Sequence, residues 1–249
     1  MSIIGVTGHR GFIGSNFVSY VQDRTKLHKI VKFHSDITKK KAVQTFVTKC
    51  DVVVHLAGKN RGTPQEVLDT NITGTYNVTD ECHWAGKGLI NAATSYDKRD
   101  AYLVGKTVSE TIVKQYGGIG LKCINVKLPK VIGPGCKPFY NSFASTLCYL
   151  VAKGRNQEAE TMVQNKDTIL ELVHVDDVCK WMYSFIDTFS QNGNFHAKEF
   201  EFYDPIRVTI GGFLDILNGK GIDGFDSDKS DKILETLTWY KENEISETH

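Results

Sequence analysis

Tyr102 and Lys106 stand four residues apart in the segment AYLVGK. On a helix this spacing places both side chains on one face. An ammonium group beside a phenol favours the phenolate, and at about 4 Å with an effective dielectric constant of about 20 the attraction is about 4 kcal/mol. An attraction of this size would lower the phenol pKa by at most about three units from its usual value of about 10. Such a pair could give a proton to a carbonyl oxygen near neutral pH, although Tyr and Lys also meet by chance on amphipathic helices.

A second candidate site is the glycine-rich segment TGHRGFIGSN at residues 7–16, between an apolar run and a helical pattern. Gly8 would permit a tight turn, Gly11 would let the backbone approach a pyrophosphate, and Gly14 would let the helix pack on the strand. Backbone N–H groups at the start of the helix would then face the phosphates. The alternative is a strand-to-helix turn without a ligand, but the alternating pattern that follows favours a dinucleotide site.

The end of the second predicted strand, in KIVKFHSD, decides which dinucleotide fits. The strand is expected to end at Phe33, His34 or Ser35, with no acid before Asp36. NAD enzymes usually place an acid there to hold the ribose, whereas the 2′-phosphate of NADP needs cations. Arg10, inside the glycine segment, offers a planar charged group for a phosphate, so we predict NADPH. A shift of two residues would make Asp36 a ribose ligand for NAD, or place it beside the adenine.

These groups must be held by regular elements, which the pattern of apolar and amphipathic segments predicts. Short apolar runs alternate with longer amphipathic segments over the first half of the chain. This alternation predicts an α/β fold, a doubly wound parallel sheet of the Rossmann type with helices on both faces. Six parallel strands are expected by about residue 129, together with two long helices near 64–85 and 100–117.

A change of pattern after the segment IGPG predicts a smaller second lobe. Pro and Gly interrupt regular structure there, and helical segments follow at NSFASTLCYLVAKG and SDKILETLTWYKEN. We expect an NADP-binding domain at residues 1–130 and a second lobe at 131–249, interleaved with the last elements of the first domain at about 168–190. Within that stretch Asp176 or Asp177 is expected to cap a helix.

Composition excludes some classes of function. Lys and Arg number 30 against 29 Asp and Glu, so the net charge does not indicate a nucleic acid or membrane-surface partner. No stretch is long enough to span a membrane and no signal-peptide pattern opens the chain, which predicts a cytoplasmic protein. The six cysteines are scattered without a spacing that suits zinc, so we expect free thiols and no metal site.

Together these motifs resemble the extended short-chain dehydrogenase/reductase family, also described as the NAD-dependent epimerase/dehydratase family. T-G-x-x-G-F-I-G in the glycine segment, HLAG at 55–58, NITGTYNV at 71–78 and VHVDDV at 173–178 stand in the family's order. Asn71 matches the family asparagine that braces the central helix. The resemblance implies a substrate-binding role for the second lobe. The implied cofactor site comprises Gly8, Arg10, Gly11, Phe12, Ile13, Gly14, His34, Ser35, Asp36, Leu56, Ala57, Gly58, Asn71 and Lys106.

The resemblance also implies a catalytic set of Ser or Thr, Tyr and Lys. Tyr102 would protonate the substrate carbonyl while the nicotinamide gives hydride, and Lys106 would hold the nicotinamide ribose. The third residue ends the predicted strand KGLINAAT, where Thr94 is favoured and Ser95 is the competitor. The interval from Thr94 to Tyr102 is shorter than in many members of the family.

Reductases, epimerases and dehydratases of nucleotide sugars are the candidate types within the family. Dehydratases follow the catalytic Thr with Asp-Glu, whereas Ser95 and Tyr96 follow Thr94 here. Epimerases retain NAD through a whole cycle, which a cationic NADPH site does not favour. An NADPH-dependent oxidoreductase, a 4-reductase, is therefore preferred. The alternatives are a 4-epimerase or dehydratase with bound NAD, and a non-catalytic dinucleotide-sensing regulator, which typically lacks the Tyr and Lys.

Residues 127–154, KLPKVIGPGCKPFYNSFASTLCYLVAKG, resemble the reductase domain of UDP-2-acetamido-2,6-dideoxy-hexulose 4-reductases. These enzymes belong to the UDP-N-acetyl-L-fucosamine and L-rhamnosamine pathways of polysaccharide biosynthesis, and HLAGKNR at 55–61 is similar to their HLAGxNR. Those enzymes carry a C-terminal cupin domain for epimerisation, and this sequence does not include one. The resemblance is therefore expected to extend to reduction of the C4 ketone alone. Lys127 and Lys130 replace an Arg and an Asn of those enzymes, which puts the sugar contacts of that Asn in doubt.

The same resemblance implies the substrate contacts and the assembly. Lys137, Tyr140 and Asn141 are candidate contacts to the UDP part of a UDP-linked 4-keto-6-deoxy amino sugar, with Arg61 near the mouth of the site. Core packing is the alternative for Tyr140, and a solvated loop is the alternative for Lys137. A homodimer is expected through the two long helices.

Overall fold

The computed structural model describes residues 1–24, 27–95, 98, 100–140, 142–190, 198–202 and 204–245. The chain divides into two compact units, and each is built from two separate stretches. The first unit comprises Met1–Leu128 and Val178–Glu201, and the second comprises Pro129–Asp177 and Phe202–His249. The assignment of the cofactor to one unit and of the substrate to the other stays a prediction.

The first unit contains a six-stranded sheet in which every neighbouring pair is parallel, with the order β2-β1-β3-β4-β5-β8. Valine fills three consecutive positions of β3, all fully buried, as expected for a strand with both faces covered by helices. The strands are β1 (Ile3–Thr7), β2 (Lys29–Lys32), β3 (Val52–His55), β4 (Gly88–Thr94), β5 (Cys123–Leu128) and β8 (Lys198–Glu201).

Helices separate these strands in the chain, and the predicted doubly wound α/β fold is confirmed. Thr63 and Glu66 form a capping box that starts α3, and Pro64 occupies its first turn, where a missing N–H costs nothing. The helical elements are α1 (Phe12–Arg24), α2 (Lys40–Val47), α3 (Pro64–Leu68), a π-helical segment (Asp69–Thr73), α4 (Gly74–Trp84), α5 (Ala101–Gly118) and α8 (Val175–Ser190).

The prediction of six parallel strands by about residue 129 is wrong by one strand. Five are complete at Leu128, and β8 supplies the sixth after α8. Pro129 follows β5 directly and has no N–H to continue a ladder, and the next strand, β6 (Lys130–Ile132), belongs to the other sheet.

The second unit is built around a three-stranded sheet of order β6-β7-β9, in which β6 and β7 are parallel and β9 is antiparallel to β7. Its core includes Leu147, Phe213 and Tyr240, and the Tyr240 hydroxyl donates to the Cys136 carbonyl at 2.5 Å. The remaining elements are β7 (Ile169–His174), β9 (Ile206–Thr209), α6 (Phe143–Ala152), α7 (Asn156–Thr161), α9 (Ile210–Leu217) and α10 (Ser227–Glu242).

The predicted cap of α8 is wrong. The helix begins at Val175, so Asp176 and Asp177 lie inside its first turn, where carboxylates are favoured by the helix dipole. Asp177 also accepts a hydrogen bond from the Lys232 ammonium at 2.5 Å. The expectation of free thiols is confirmed, because all six cysteines are buried and none forms a disulfide. None of the helices in the described part of the chain has the length and apolar character needed to cross a membrane.

Candidate active site

The turn between β1 and α1 requires glycine at two of its three glycine positions. Gly8 has a φ of 67°, and a Cβ there would lie 2.6 Å from the Ala57 nitrogen. A Cβ on Gly14 would lie 2.2 Å from the Gly8 carbonyl oxygen. The Gly11 N–H donates to the same carbonyl at 2.9 Å and closes the turn. The close approach of three backbone segments therefore excludes side chains here.

Space remains in front of the second glycine and the helix start. Among the described residues, only the Gly8 carbonyl oxygen lies within 4 Å of the position that a Cβ on Gly11 would take, at 3.3 Å. Phe12 and Ile13 open α1, whose first turn contains no acidic residue. Free N–H groups and the positive end of the helix dipole therefore face space that an anionic group can enter, which fits a dinucleotide pyrophosphate.

Thr7 ties the glycine turn to the HLAG segment. Its Oγ1 accepts hydrogen bonds from the Leu56 and Ala57 N–H groups, each at 3.2 Å, and lies 2.7 Å from His55 Nδ1. The Thr7 hydroxyl therefore donates to His55 Nδ1, and the opposite ring nitrogen donates to Thr75 Oγ1 at 3.0 Å. Burial, and then the charge of Lys106, lower the pKa of His55 to about 3, so the ring is neutral.

Lys106 is held at the carboxyl end of β4. Asp100 caps α5 by accepting the Leu103 N–H at 2.9 Å, and Tyr102 and Lys106 follow on successive turns of one face. Lys106 is 8% exposed as a residue, and its ammonium donates to the Ala92 carbonyl on β4. Burial lowers its pKa to about 8, with the charge of Glu110 opposing the shift. Tyr102 and Lys106 therefore share one face of α5, with the Lys106 ammonium desolvated against β4.

Thr94 and Ser95 mark the end of β4. Thr94 is the last strand residue, half-buried and opposite Leu128 of β5, and it comes two residues after the Ala92 carbonyl that holds Lys106. Ser95 is exposed, and its N–H donates to the Leu128 carbonyl at 3.0 Å. The structure thus brings the strand end that carries Thr94 to the first turns of α5, while the choice between Thr94 and Ser95 stays a prediction.

Asn71 is a brace between the loop after β3 and helix α5. Its Nδ2 donates to the Lys59 carbonyl at 2.6 Å and to the Val67 carbonyl at 2.8 Å, and its Oδ1 accepts the Lys59 N–H at 3.3 Å. Its backbone carbonyl, within the π-helical segment, accepts Ser109 Oγ at 2.6 Å. A Cβ on Gly58 would meet the Asn71 amide at 2.9 Å. The amide is thus used within the protein, so Asn71 positions the predicted cofactor site.

The predicted 2′-phosphate site lies at the exposed end of β2. The strand ends at Lys32, just before the predicted range, although the Phe33 N–H still donates to the Val6 carbonyl at 3.0 Å. Arg10, His34, Ser35 and Asp36 are all exposed there. Asp36 Oδ1 accepts the Thr38 N–H at 3.0 Å and the Thr38 hydroxyl at 2.8 Å, which lowers the pKa of this carboxyl.

The candidate substrate residues fall in different parts of the structure. Arg61 is exposed between β3 and α3 in the first unit, and Lys137 is exposed in the second. Tyr140 is 40% exposed, so core packing does not account for it. Asn141 lies outside the described residues.

Two features of the site escaped the sequence patterns. Lys127, expected to take the place of a family Arg, forms ion pairs with Glu110 at 3.2 Å and Glu201 at 3.5 Å, and its hydrogen bond to Glu110 raises its pKa. Ser109, one turn after Lys106, reaches Asn71. The signal for Ser109 was present, because Lys106 and Ser109 are three residues apart and share a helix face. No local pattern pairs Lys127 with Glu201.

Residues 4–197 match the NAD dependent epimerase/dehydratase family. The chain belongs to this family. The predicted resemblance is therefore confirmed, and the family's description agrees with a dinucleotide at the glycine turn. A UDP-2-acetamido-2,6-beta-L-arabino-hexul-4-ose reductase from Pseudomonas aeruginosa is 26% identical over 190 residues, which are 73% of this chain and 49% of that protein. The chain thus spans about half the length of this curated relative.

Solved structures of other proteins share the fold. The capsular polysaccharide assembling protein CapF from Staphylococcus aureus superposes with a TM-score of 0.70 at 24% identity, covering 96% of this chain and 64% of that one. RMD from Pseudomonas aeruginosa, complexed with NADPH, superposes with a TM-score of 0.75 at 15% identity, covering 98% of this chain and all of that one (100%). At these identities the likeness establishes the fold alone.

Proposed function

We propose that the protein reduces the C4 ketone of a UDP-2-acetamido-2,6-dideoxy-hexulose with NADPH. The observation that carries the proposal is the buried Lys106 ammonium, fixed to β4 by the Ala92 carbonyl and one helical turn from Tyr102. A non-catalytic regulator that only senses a dinucleotide would not need a desolvated ammonium one helical turn from a phenol.

Each residue then has a defined role in the reduction. Tyr102 gives its proton to the carbonyl oxygen that becomes the new hydroxyl, and the positive charge of Lys106 makes the phenol a better acid. Thr94 holds the same carbonyl oxygen by a hydrogen bond, and Lys106 also binds the nicotinamide ribose. Bound NADPH would supply the hydride.

The charge at the end of β2 supports NADPH over NADH. Arg10 and His34 are exposed there together with Lys32. Asp36, the residue that would hold the ribose of NAD, is engaged by Thr38. Charge complementarity with a 2′-phosphate therefore favours the phosphorylated cofactor.

The substrate class rests on similarity to the curated reductase. Its printed name describes reduction of a UDP-linked 2-acetamido-2,6-dideoxy sugar with a ketone at C4, and 73% of this chain aligns with it. Lys137, Tyr140 and Asn141 are the proposed contacts to the UDP part of the substrate, and Arg61 is a proposed substrate-binding residue near the mouth of the site. A homodimer through α4 and α5 belongs to the same proposal.

The decisive experiment supplies the substrate enzymatically. The protein is incubated with NADPH and the 4-keto sugars made by a UDP-GlcNAc 4,6-dehydratase/epimerase, and the product is assigned by NMR. We expect oxidation of NADPH in step with appearance of a C4 hydroxyl. Tyr102→Phe should abolish turnover and leave NADPH binding nearly unchanged, because it removes only the proton donor.

Tyr116→Phe is the matched control. It removes a hydroxyl from the same helix, one that donates to Asp80 at 2.8 Å, and should leave turnover unchanged. Persistent turnover in Tyr102→Phe would contradict the mechanism. Faster steady-state reduction with NADH than with NADPH would contradict the cofactor assignment.

A further inference from the structure

Two histidine rings meet at the carboxyl end of β1 and β2. His9 follows the first glycine of the turn and His34 follows β2, and their ring centroids are 4.5 Å apart with the planes at 69°. The parallel pairing of the two strands brings them together, since the Phe33 N–H extends the ladder to the Val6 carbonyl. The contact is therefore set by the sheet and not by loop geometry alone.

The Nδ1 atom of His9 is buried and, among the described residues, has no hydrogen-bond partner. Burial lowers the pKa of His9, and the charges of His34, Arg10 and Lys32 lower it further, against a hydrogen bond with the Phe33 backbone that raises it. His9 is thus neutral near pH 7 when no anion is present, with a basic nitrogen left unused.

The charges that act on His9 come from the glycine turn and from the end of β2, and all of them are positive. The acid in the following loop, Asp36, has its Oδ1 engaged by Thr38. A dianion entering this cluster would reverse the electrostatic potential at His9 and favour its imidazolium form. The positive charge of the imidazolium would then attract the anion together with the charges of Arg10 and Lys32.

We propose that His9, supported by His34, recognises the 2′-phosphate of NADPH by taking up a proton from solvent, so that NADPH binding is linked to proton uptake and NADH binding is not. This inference rests on the proposed NADPH-dependent function. Arg10 stays charged at all relevant pH values and could give charge complementarity but no proton uptake. The proton therefore distinguishes a role for the histidines from a site made by Arg10 alone.

The linkage has a definite sign. Without ligand the pKa of His9 lies below its ordinary value, and with the phosphate bound the pKa would be higher than in the unliganded protein. Between those two values the affinity for NADPH falls as the pH rises, by at most about tenfold per unit, while the affinity for NADH stays level. The preference for NADPH over NADH should fall about fivefold or more from about pH 6.5 to about pH 8.5.

Calorimetric titration in two buffers of different ionisation enthalpy measures the proton directly. At about pH 7.5 the free 2′-phosphate is already a dianion, because a phosphate monoester has its second pKa at about 6. We expect uptake of about one proton per NADPH and none per NADH. His9→Gln should remove the uptake and weaken NADPH about tenfold, with NADH unaffected. His28→Gln, at the opposite end of β2, is the matched control and should keep the uptake.

Equal proton uptake for the two nucleotides in the wild-type protein would overturn the inference, and so would normal uptake in His9→Gln. The wild-type comparison decides the question even if His9→Gln does not fold. If the protein turns over with NADPH but takes up no more protons on binding NADPH than on binding NADH, this inference is wrong and the proposed function still stands. Failure of NADPH to bind where NADH binds and reacts would defeat the proposed cofactor itself.

Discussion

The ammonium of Lys106 sits where its protonation state matters to two processes. The residue is 8% exposed, its ammonium donates to the Ala92 carbonyl, and burial lowers its pKa to about 8. In the proposed mechanism the charge present below this pKa supports the acidity of Tyr102, and above this pKa that support is lost. The same titration enters the folding equilibrium, because the unfolded chain presents an ordinary lysine.

Turnover at saturating NADPH is therefore expected to fall as the pH rises through about 8. The measurement is the pH profile of kcat for ketone reduction. Lys106→Arg keeps its charge throughout the range, so whatever activity it retains should persist to higher pH. A fall at the same pH in this variant would exclude Lys106 as the titrating group.

Lys106→Met should lose activity and gain stability at pH 7. The folded pKa of about 8 lies about 2.5 units below the ordinary 10.5, which corresponds to a penalty of up to about 3 kcal/mol at pH 7. Between those values the unfolded chain binds more protons, so wild-type stability rises with pH. Urea unfolding at pH 7 and pH 10 tests this, and the advantage of the variant should shrink at the higher pH.

Lys114→Met is the matched control for stability, because Lys114 lies on the same helix with its side chain 63% exposed, paired with Glu199. Its effect should be below about 1 kcal/mol at either pH. An equal gain from both variants would mean that burial of Lys106 carries no cost.

At the scale of elements, Asn71 joins three of them. Its side chain holds the carbonyls of Lys59 and Val67, and its own carbonyl holds Ser109 of α5 from within a π-helical segment. A π-helical turn leaves backbone groups out of the regular helical ladder, which frees a carbonyl for such a contact. The loop after β3 and the helix of Tyr102 are thereby tied to one residue.

Asn71→Ala should lower the free energy of unfolding by about 2–3 kcal/mol, since the buried Val67 carbonyl and the partly buried Lys59 carbonyl lose a donor. Denaturant unfolding monitored by circular dichroism measures the change. Asn218→Ala, at an exposed position after α9, removes the hydrogen bond from Asn218 Nδ2 to the Leu214 carbonyl and the one that Asn218 Oδ1 accepts from Asn156. It should cost less than about 1 kcal/mol. Similar losses in the two variants would contradict a bracing role.

Elements decided by neighbouring residues were predictable from the sequence, and elements decided by distant pairing were not. The glycine turn and α5 follow from spacing within a few residues, and so does the position of Tyr102 and Lys106 on one helix face. The strand β8 and the ion pairs of Lys127 depend on a segment far along the chain. The meeting of His9 and His34 likewise depends on which strand pairs with β1, which no local pattern encodes.

At the scale of the whole molecule, α4 and α5 present apolar side chains to solvent in the single chain. Trp84 is 78% exposed and Val104 is 52% exposed, and Tyr76 and Val108 are partly exposed on the same two helices. Burial of such side chains against a second copy would stabilise an assembly at about 25 cal/mol per Å² of apolar area. This distribution supports the proposed dimer.

Light scattering at micromolar concentration should report a dimer, and Val104→Glu should convert it to a monomer by placing charge in the interface. The control is Ile169→Glu, which changes an apolar residue on β7 that is 62% exposed. This variant should leave the dimer intact. A monomeric wild-type protein, or equal effects of the two variants, would contradict the assignment of these helices to the interface.

The late arrival of β8 sets an order of events during synthesis. When the ribosome has delivered residues 1–128, five strands of the sheet can pair, but the outer edge of β5 must wait until Lys198–Glu201 emerges. At about 5–20 residues per second, that interval lasts several seconds. During it the nascent chain carries an unpaired strand edge, the kind of edge that recruits other chains. Completion of the six-stranded sheet is thereby coupled to synthesis of about half of the second unit.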